Sequence, residues 1–134
     1  MKTFLFCSLF LVSTAFANSQ NLIGCRYAEI RKYMRENEKD MSLNRVYNNE
    51  FKYLKYSNSS DSQTTLFFLD QDSICQSVRI ILEHDIKAQK IKELDTIYSK
   101  KGANKWIDSK NGKFYNVELR DDDWSSVITI IPGK

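Results

Sequence analysis

The chain has 134 residues, with 20 lysines and arginines against 17 aspartates and glutamates, so its formal net charge is only +3 at pH 7. This near balance excludes the strong positive field with which non-specific binders hold nucleic acid or acidic lipid. The length suits a single domain. We therefore predict one domain that does not take nucleic acid as its partner.

The first 17 residues, MKTFLFCSLFLVSTAFA, have the pattern of an export signal. Lys2 gives a positive start, Phe4 to Val12 is almost entirely apolar, and Ala15-Phe16-Ala17 is a small-x-small cleavage pattern. The apolar run is shorter than the roughly 20 residues needed to span a bilayer. The sequence predicts a cleaved signal peptide over 1–17, a single domain over 18–134, no membrane span after cleavage, and a secreted or periplasmic location.

Cleavage would leave two of the three cysteines, Cys25 and Cys75. An exported chain meets an oxidising compartment, where a pair of cysteines forms a disulfide. The bridge would close a loop of about 50 residues and contribute about 4 kcal/mol by the loop-entropy relation. We predict the Cys25–Cys75 disulfide, with two buried thiols that do not meet as the alternative.

Taken in chain order, the first predicted element is an amphipathic helix. Ile23, Tyr27, Ile30 and Met34 follow one another at steps of four, three and four residues, which places them in one stripe of a helix. The polar stretch 37–49 then predicts a loop.

Three strands are predicted next. Residues 51–58 alternate as a strand does. Residues 64–70 are nearly continuously apolar, which predicts a strand covered on both faces or a central one. Residues 74–83 alternate again, and Ser-, Asn- and Asp-rich turns separate the three segments.

A second helix and the last strands complete the domain. Asp85 can cap the helix, and the Lys-Lys-Gly sequence at 100–102 is predicted to end it. Asn111-Gly112 predicts a tight turn between two strands, and the last strand covers about 125–131. Short connections favour antiparallel pairing. The predicted fold class is α+β, a two-layer sandwich with two helices packed on one face of an antiparallel meander sheet of about five strands.

The three aspartates Asp121, Asp122 and Asp123 lie between the last two strand patterns. Aspartate is common in turns because its side chain accepts hydrogen bonds from nearby backbone N–H groups. Calcium would also suit a carboxylate cluster, but the spacing of a calcium-binding loop is absent. We predict a charged hairpin turn, with cation binding left open, and no metal site or cofactor.

Catalytic motifs are not evident in the sequence. His84 is the only histidine, so no histidine cluster is available for zinc. A His–Cys pair would need a free thiol, which the predicted disulfide removes. Paired carboxylates remain open because their pairing is spatial. We assign no catalytic residues and favour a non-enzymatic protein.

Aromatic residues supply the candidate binding positions. Tyrosine and tryptophan are enriched at binding surfaces, although aromatics in strands more often belong to the core. Tyr53, Trp106 and Trp124 are the weak candidates.

The leading hypothesis is an exported binding or inhibitor-like domain that contacts a protein or small ligand through one sheet face. One alternative is a small secreted hydrolase that uses clustered carboxylates or His84. Another alternative is a structural subunit of a surface assembly.

Overall fold

A computed structural model of the chain describes residues 21–47 and 52–133. The predicted signal peptide, 1–17, lies outside the described residues. Neither helix of the described chain has an apolar stretch long enough to traverse a bilayer.

The described chain contains two α-helices and eight β-strands. The helices are α1, Tyr27–Asn37, and α2, Lys87–Ile97. The strands are β1 Met41–Tyr47, β2 Lys52–Asn58, β3 Gln63–Leu69, β4 Cys75–Leu82, β5 Ser99–Gly102, β6 Lys105–Lys110, β7 Lys113–Asp121 and β8 Ser126–Pro132.

All eight strands form one antiparallel sheet in the order β1-β2-β3-β4-β8-β7-β6-β5. Strands β1 to β4 form one meander and β5 to β8 form another. The last strand of each meander pairs with the other at the centre, where Val78 to Leu82 lie opposite Ser126 to Ile130. Each meander is preceded by a helix, so the same helix-and-four-strand layout occurs twice.

The predicted sandwich of two helices on a sheet of about five strands is wrong. The molecule is mostly one large eight-stranded antiparallel sheet with only two short helices. Two strands were not predicted. A loop was predicted in place of β1, and the end of the second helix was predicted in place of β5. Both are edge strands, and every residue of β5 is exposed. An edge strand has a single neighbour and little burial, so its sequence lacks a strong alternating pattern.

The core lies on one face of the sheet. Register places one buried residue from each of six neighbouring strands in a row across the sheet: Leu54, Phe67, Val78, Ile130, Val117 and Trp106. Ile30, Tyr33 and Met34 of α1 and Leu94 of α2 join the same buried cluster. Because successive strand residues alternate between faces, this row also fixes which side chains point away from the core.

The predicted tight turn between β6 and β7 is confirmed. Asn111 and Gly112 have φ angles of 56° and 77°, and Lys110 pairs with Lys113 across them. Two consecutive positive φ angles are the requirement of the two-residue hairpin turn that asparagine and glycine favour.

Candidate functional site

The sheet face opposite the core is the candidate site, and we call it the open face. One row on it, which lies next to the buried row, runs Lys55, Leu66, Arg79, Thr129, Glu118, Lys105. In the described part of the chain, the buried side chains of both helices belong to the opposite face. The described helices therefore leave the open face available for contact with other molecules.

The open face is unusually apolar for a sheet face on which no described helix packs. An antiparallel sheet with one solvated face normally alternates apolar residues inward with polar residues outward. Here Phe114 and Ile131 are 56% and 43% exposed. Strand register and alternation place eight apolar residues on this face, and all but the buried Val127 are at least partly exposed: Tyr53, Leu66, Phe68, Ile81, Ile107, Phe114, Val127 and Ile131.

An aromatic and cationic cluster lies on the β2–β4 part of the open face. The Tyr53 and Phe68 rings are tilted, with centroids 6.2 Å apart, and the Arg79 guanidinium carbon is 5.5 Å from the Phe68 ring centroid. A depression of about 300 Å³ lies beside them, lined in part by Lys55 and Leu66. Neither Lys55 nor Arg79 forms an ion pair with a described residue. This cluster thus combines apolar surface with uncompensated positive charge.

A second depression, of about 350 Å³, lies on the β6–β8 part of the open face. Ile107, Asn116 and Ile131 are among its lining residues. Lys105 Nζ lies 3.7 Å from Glu118 Oε2 at its border. Lys101 also lines this depression and forms no ion pair with a described residue, so the positive charge here is neutralised only in part.

The open face carries a positive balance of charge. Its charged strand residues with described side chains are Lys55, Arg79, Lys101, Lys105, Arg120 and Glu118. Five cations on this face therefore compare with one carboxylate. Glu118 lies near Lys105, and Arg120 Nε lies 3.9 Å from Asp122 Oδ1.

The three aromatic candidates occupy three different environments. Tyr53 lies on the open face, within the cluster around Phe68. Trp106 is only 1% exposed, and its indole Nε1–H donates to Asp95 Oδ1 at 2.8 Å. Trp124 is 90% exposed and lies in the turn between β7 and β8. The structure brings none of these three together, and it places Trp106 in the core.

The aspartate triplet forms the predicted hairpin turn, which the structure confirms. Asp121 ends β7 and lies opposite Ser126 of β8, and the Asp122 N–H donates to the Ser125 carbonyl at 2.8 Å. Hydrogen bonds from Lys87 and then Ser126 hold the pKa of Asp121 below its ordinary value. Among the described residues, no group of three or more His, Cys, Asp or Glu side chains is placed to hold a metal ion.

His84 lies next to this hairpin but is not arranged as in a hydrolase. Its Nδ1 is 3.3 Å from Ser126 Oγ, and the same hydroxyl donates to Asp121 Oδ1 at 2.8 Å. Serine is thus the middle member, whereas a catalytic triad has histidine between serine and aspartate. Ser126 is also 0% exposed, so its hydroxyl is poorly placed to meet a substrate.

Cys25 and Cys75 are neighbours across a short antiparallel bridge. Arg26 pairs with Ile74, and the Cys75 N–H donates to the Cys25 carbonyl at 2.9 Å. Cys75 carries a free, buried thiol in the structure, and burial raises its pKa to about 12. The disulfide between the two residues remains a prediction.

The residues that the sequence did not single out are Leu66, Phe68 and Arg79. The continuous apolar run at 64–70 predicted a strand covered on both faces, which hid the fact that its alternate residues face outward. The alternation in 74–83 did place Arg79 on the face of the strand away from Val78 and Ile80. This was the one sequence signal that Arg79 points outward.

Comparison with known proteins identifies no relative. No protein-family model, curated protein or solved structure matches this chain at a significant level. We therefore infer the function from the geometry of the chain itself.

Proposed function

We propose that this chain is an exported, non-enzymatic binding protein that holds an acidic partner protein against the open face of its sheet. The observation that carries the proposal is the set of seven apolar residues that are at least partly exposed on a face that the described helices do not cover. Contiguous apolar surface beyond the usual scatter of single residues is characteristic of interaction sites. In this proposal the mature domain, 18–134, acts outside the cytoplasm.

The charge of the open face selects the chemistry of the partner. Lys55 and Arg79 flank Leu66 in one row and form no ion pair with a described residue. A partner with carboxylates around an apolar patch would neutralise both cations and bury Leu66 between them. Complementary charge speeds encounter and suppresses wrong partners. The same positive balance disfavours the open face of a second copy of this chain as the occupant.

The centre of the contact is proposed to be Arg79 on the Phe68 ring. Arginine, tyrosine and tryptophan are the residue types that dominate binding energy at interfaces. Phe68 already orients the guanidinium from one side, so less conformational freedom is lost when a carboxylate binds the other side. Tyr53 adds a second ring at the edge of the same cluster.

Affinity capture with immobilised mature protein, from the envelope and medium of the source cells, tests the proposal. The captured protein is then purified and titrated against wild type, Arg79→Glu and Leu66→Asp. We expect Arg79→Glu to weaken the Kd about 30-fold, the effect of losing one dominant interface residue. Raising the salt concentration should weaken wild-type binding, because charge steering is screened.

Lys92→Glu is the matched control, because Lys92 is an exposed cation of α2 and lies away from the open face. It makes the same change of net charge and should leave the Kd unchanged. Equal loss with Lys92→Glu and Arg79→Glu would mean that only overall charge matters. Recovery of no partner, or a partner that binds Leu66→Asp and Arg79→Glu as tightly as wild type, would refute the proposal.

A further inference from the structure

The tip of the β7–β8 hairpin exposes a large apolar side chain. Trp124 is 90% exposed, whereas the other tryptophan, Trp106, is almost completely buried. An exposed indole lacks the large hydrophobic stabilisation that burial would provide. Trp124 does not lie on a strand of the open face, so the proposed function does not account for it.

The base of this tip is held firmly on both sides. Asp121 Oδ2 accepts a hydrogen bond from Lys87 at 2.7 Å, and Asp121 Oδ1 accepts one from Ser126 at 2.8 Å. The Asp122 N–H closes the turn onto the Ser125 carbonyl. Lys87 belongs to α2, so a second element anchors the hairpin. A tip on a fixed base loses little conformational freedom when it binds.

Carboxylates next to the Trp124 indole determine which kind of binding site the tip can enter. Asp121 is neutralised within the chain by Lys87. Asp122 has only a long contact of 3.9 Å with Arg120, and Asp123 forms no ion pair with a described residue. The tip therefore presents an apolar ring with negative charge at its side. Such a tip suits an apolar pocket with a cationic rim, and the negative charge disfavours an anionic membrane surface.

We infer that the β7–β8 tip is a separate contact site, in which the Trp124 indole inserts into an apolar pocket of a partner protein and cations at the pocket rim meet Asp122 and Asp123. This site differs in charge from the open face: the open face is cationic and selects carboxylates, whereas the tip is anionic and selects cations. The inference does not require the open face to bind anything.

Tryptophan fluorescence reports this contact directly. Trp106 is already buried, so Trp124 is the tryptophan of this chain whose emission should change most on binding, and the Trp124→Phe variant reveals any change from the tryptophans of the partner. The probe is the purified protein that immobilised mature chain captures from the envelope and medium. We expect its addition to shift the wild-type emission to shorter wavelength, and the shift to be absent in Trp124→Phe. Trp124→Ala should weaken the Kd about 30-fold, as for a dominant interface tryptophan.

Two further variants separate the tip from the open face. Asp123→Asn should weaken binding a few-fold and reduce its salt dependence, because rim charges act mainly on encounter. Arg79→Glu changes the open face and leaves the tip intact. If Trp124→Ala binds the captured protein as wild type does, this inference is overturned even where Arg79→Glu fails to bind. If only Trp124→Ala loses affinity, the tip inference stands and the open-face proposal fails.

Lipid and the absence of a partner are the remaining outcomes. Vesicles of phosphatidylcholine, with and without phosphatidylglycerol, are added to the wild-type protein in the same fluorescence measurement. A shift to shorter wavelength with either vesicle would assign the tip to a membrane surface and overturn the inference. Capture of no protein would overturn it as well. Trp124 is solvent-exposed, so Trp124→Ala and Trp124→Phe should both fold, which circular dichroism verifies.

Discussion

The two halves of the molecule share one layout, but their helices are held to the sheet in different ways. Each half has a helix followed by four antiparallel strands, and the halves meet where β4 pairs with β8. In the first half, α1 buries Ile30, Tyr33 and Met34. In the second half, α2 buries Leu94 and the lysine Lys90. The two helices therefore occupy equivalent positions in the fold but bury different types of side chain.

Polar contacts replace apolar area in the second half. The Lys90–Glu93 ion pair lies within α2 itself, whereas Asp95 of α2 accepts the hydrogen bond from the buried Trp106 indole of β6. Lys87 links the start of α2 to Asp121. Hydrogen bonds and ion pairs constrain direction as well as distance, so they fix the orientation of a helix that buries few apolar side chains.

Charges on the open face differ between the halves in a related way. Lys55 and Arg79, in the first half, lack an ion-pair partner among the described residues, while Lys105 and Arg120, in the second, lie near carboxylates. The second half thus neutralises two of its three cations on this face, while Lys101 forms no ion pair with a described residue. The first half leaves its charge available, which is why the proposed contact centres on Arg79.

The largest expected effect concerns the cysteines, which occur only in the first half of the mature chain. The predicted Cys25–Cys75 disulfide would fasten the segment before α1 to β4, and reducing it should lower the free energy of unfolding by about 4 kcal/mol. Urea unfolding of the mature protein with and without reductant measures this difference. Thiol titration of unfolded, unreduced protein should find no reactive group. Two reactive groups would contradict the prediction.

A smaller effect is expected when each helix loses one buried apolar side chain. Ile30→Ala and Leu94→Ala should each lower the free energy of unfolding by about 3 kcal/mol, the usual cost of a large-to-alanine change in a core. Because β4 and β8 pair directly, we expect the whole domain to unfold in one transition in both variants. Chemical denaturation followed by fluorescence and circular dichroism checks this, and Lys92→Ala is the surface control. Two separate transitions would show that the halves unfold independently.

Local patterns in the sequence predicted the first helix, the inner strands and the hairpin turns. The alternation in 74–83 predicted β4, the stripe through Ile30 and Met34 predicted α1, and Asn111-Gly112 predicted a hairpin. The helix begins at Tyr27 rather than near Ile23, because the preceding segment pairs with β4 instead. These features depend on residues close in sequence.

Features that depend on distant residues could not be predicted in this way. The pairing of β4 with β8 is set by the whole fold, and the edge strands β1 and β5 have too little burial to mark their sequences. The same limit applies to the site. Apolar residues occupy both faces of β3, so the sequence does not show which face Leu66 and Phe68 share with solvent. Only the position of the helices decides that Phe67 is buried while Leu66 and Phe68 face outward. Trp106 shows the converse, since the register of β6 places it in the buried row and Asp95 of α2 accepts the hydrogen bond from its indole.

The smallest expected effect concerns the polar contact between α2 and the β7–β8 hairpin. Hydrogen bonds from Lys87 and Ser126 lower the pKa of Asp121 in the folded state. A carboxyl group of this kind stabilises the folded state above its unfolded pKa of 3.8, and the stabilisation is lost as pH falls through the lower folded value. Asp121→Asn should therefore be less stable than wild type at neutral pH, and the difference should shrink as the pH falls below 3.8. Urea unfolding across this pH range measures the difference, with Asp123→Asn as the control that should follow wild type throughout. A difference between Asp121→Asn and wild type that is constant with pH would mean that the charge of Asp121 does not hold α2 to the hairpin.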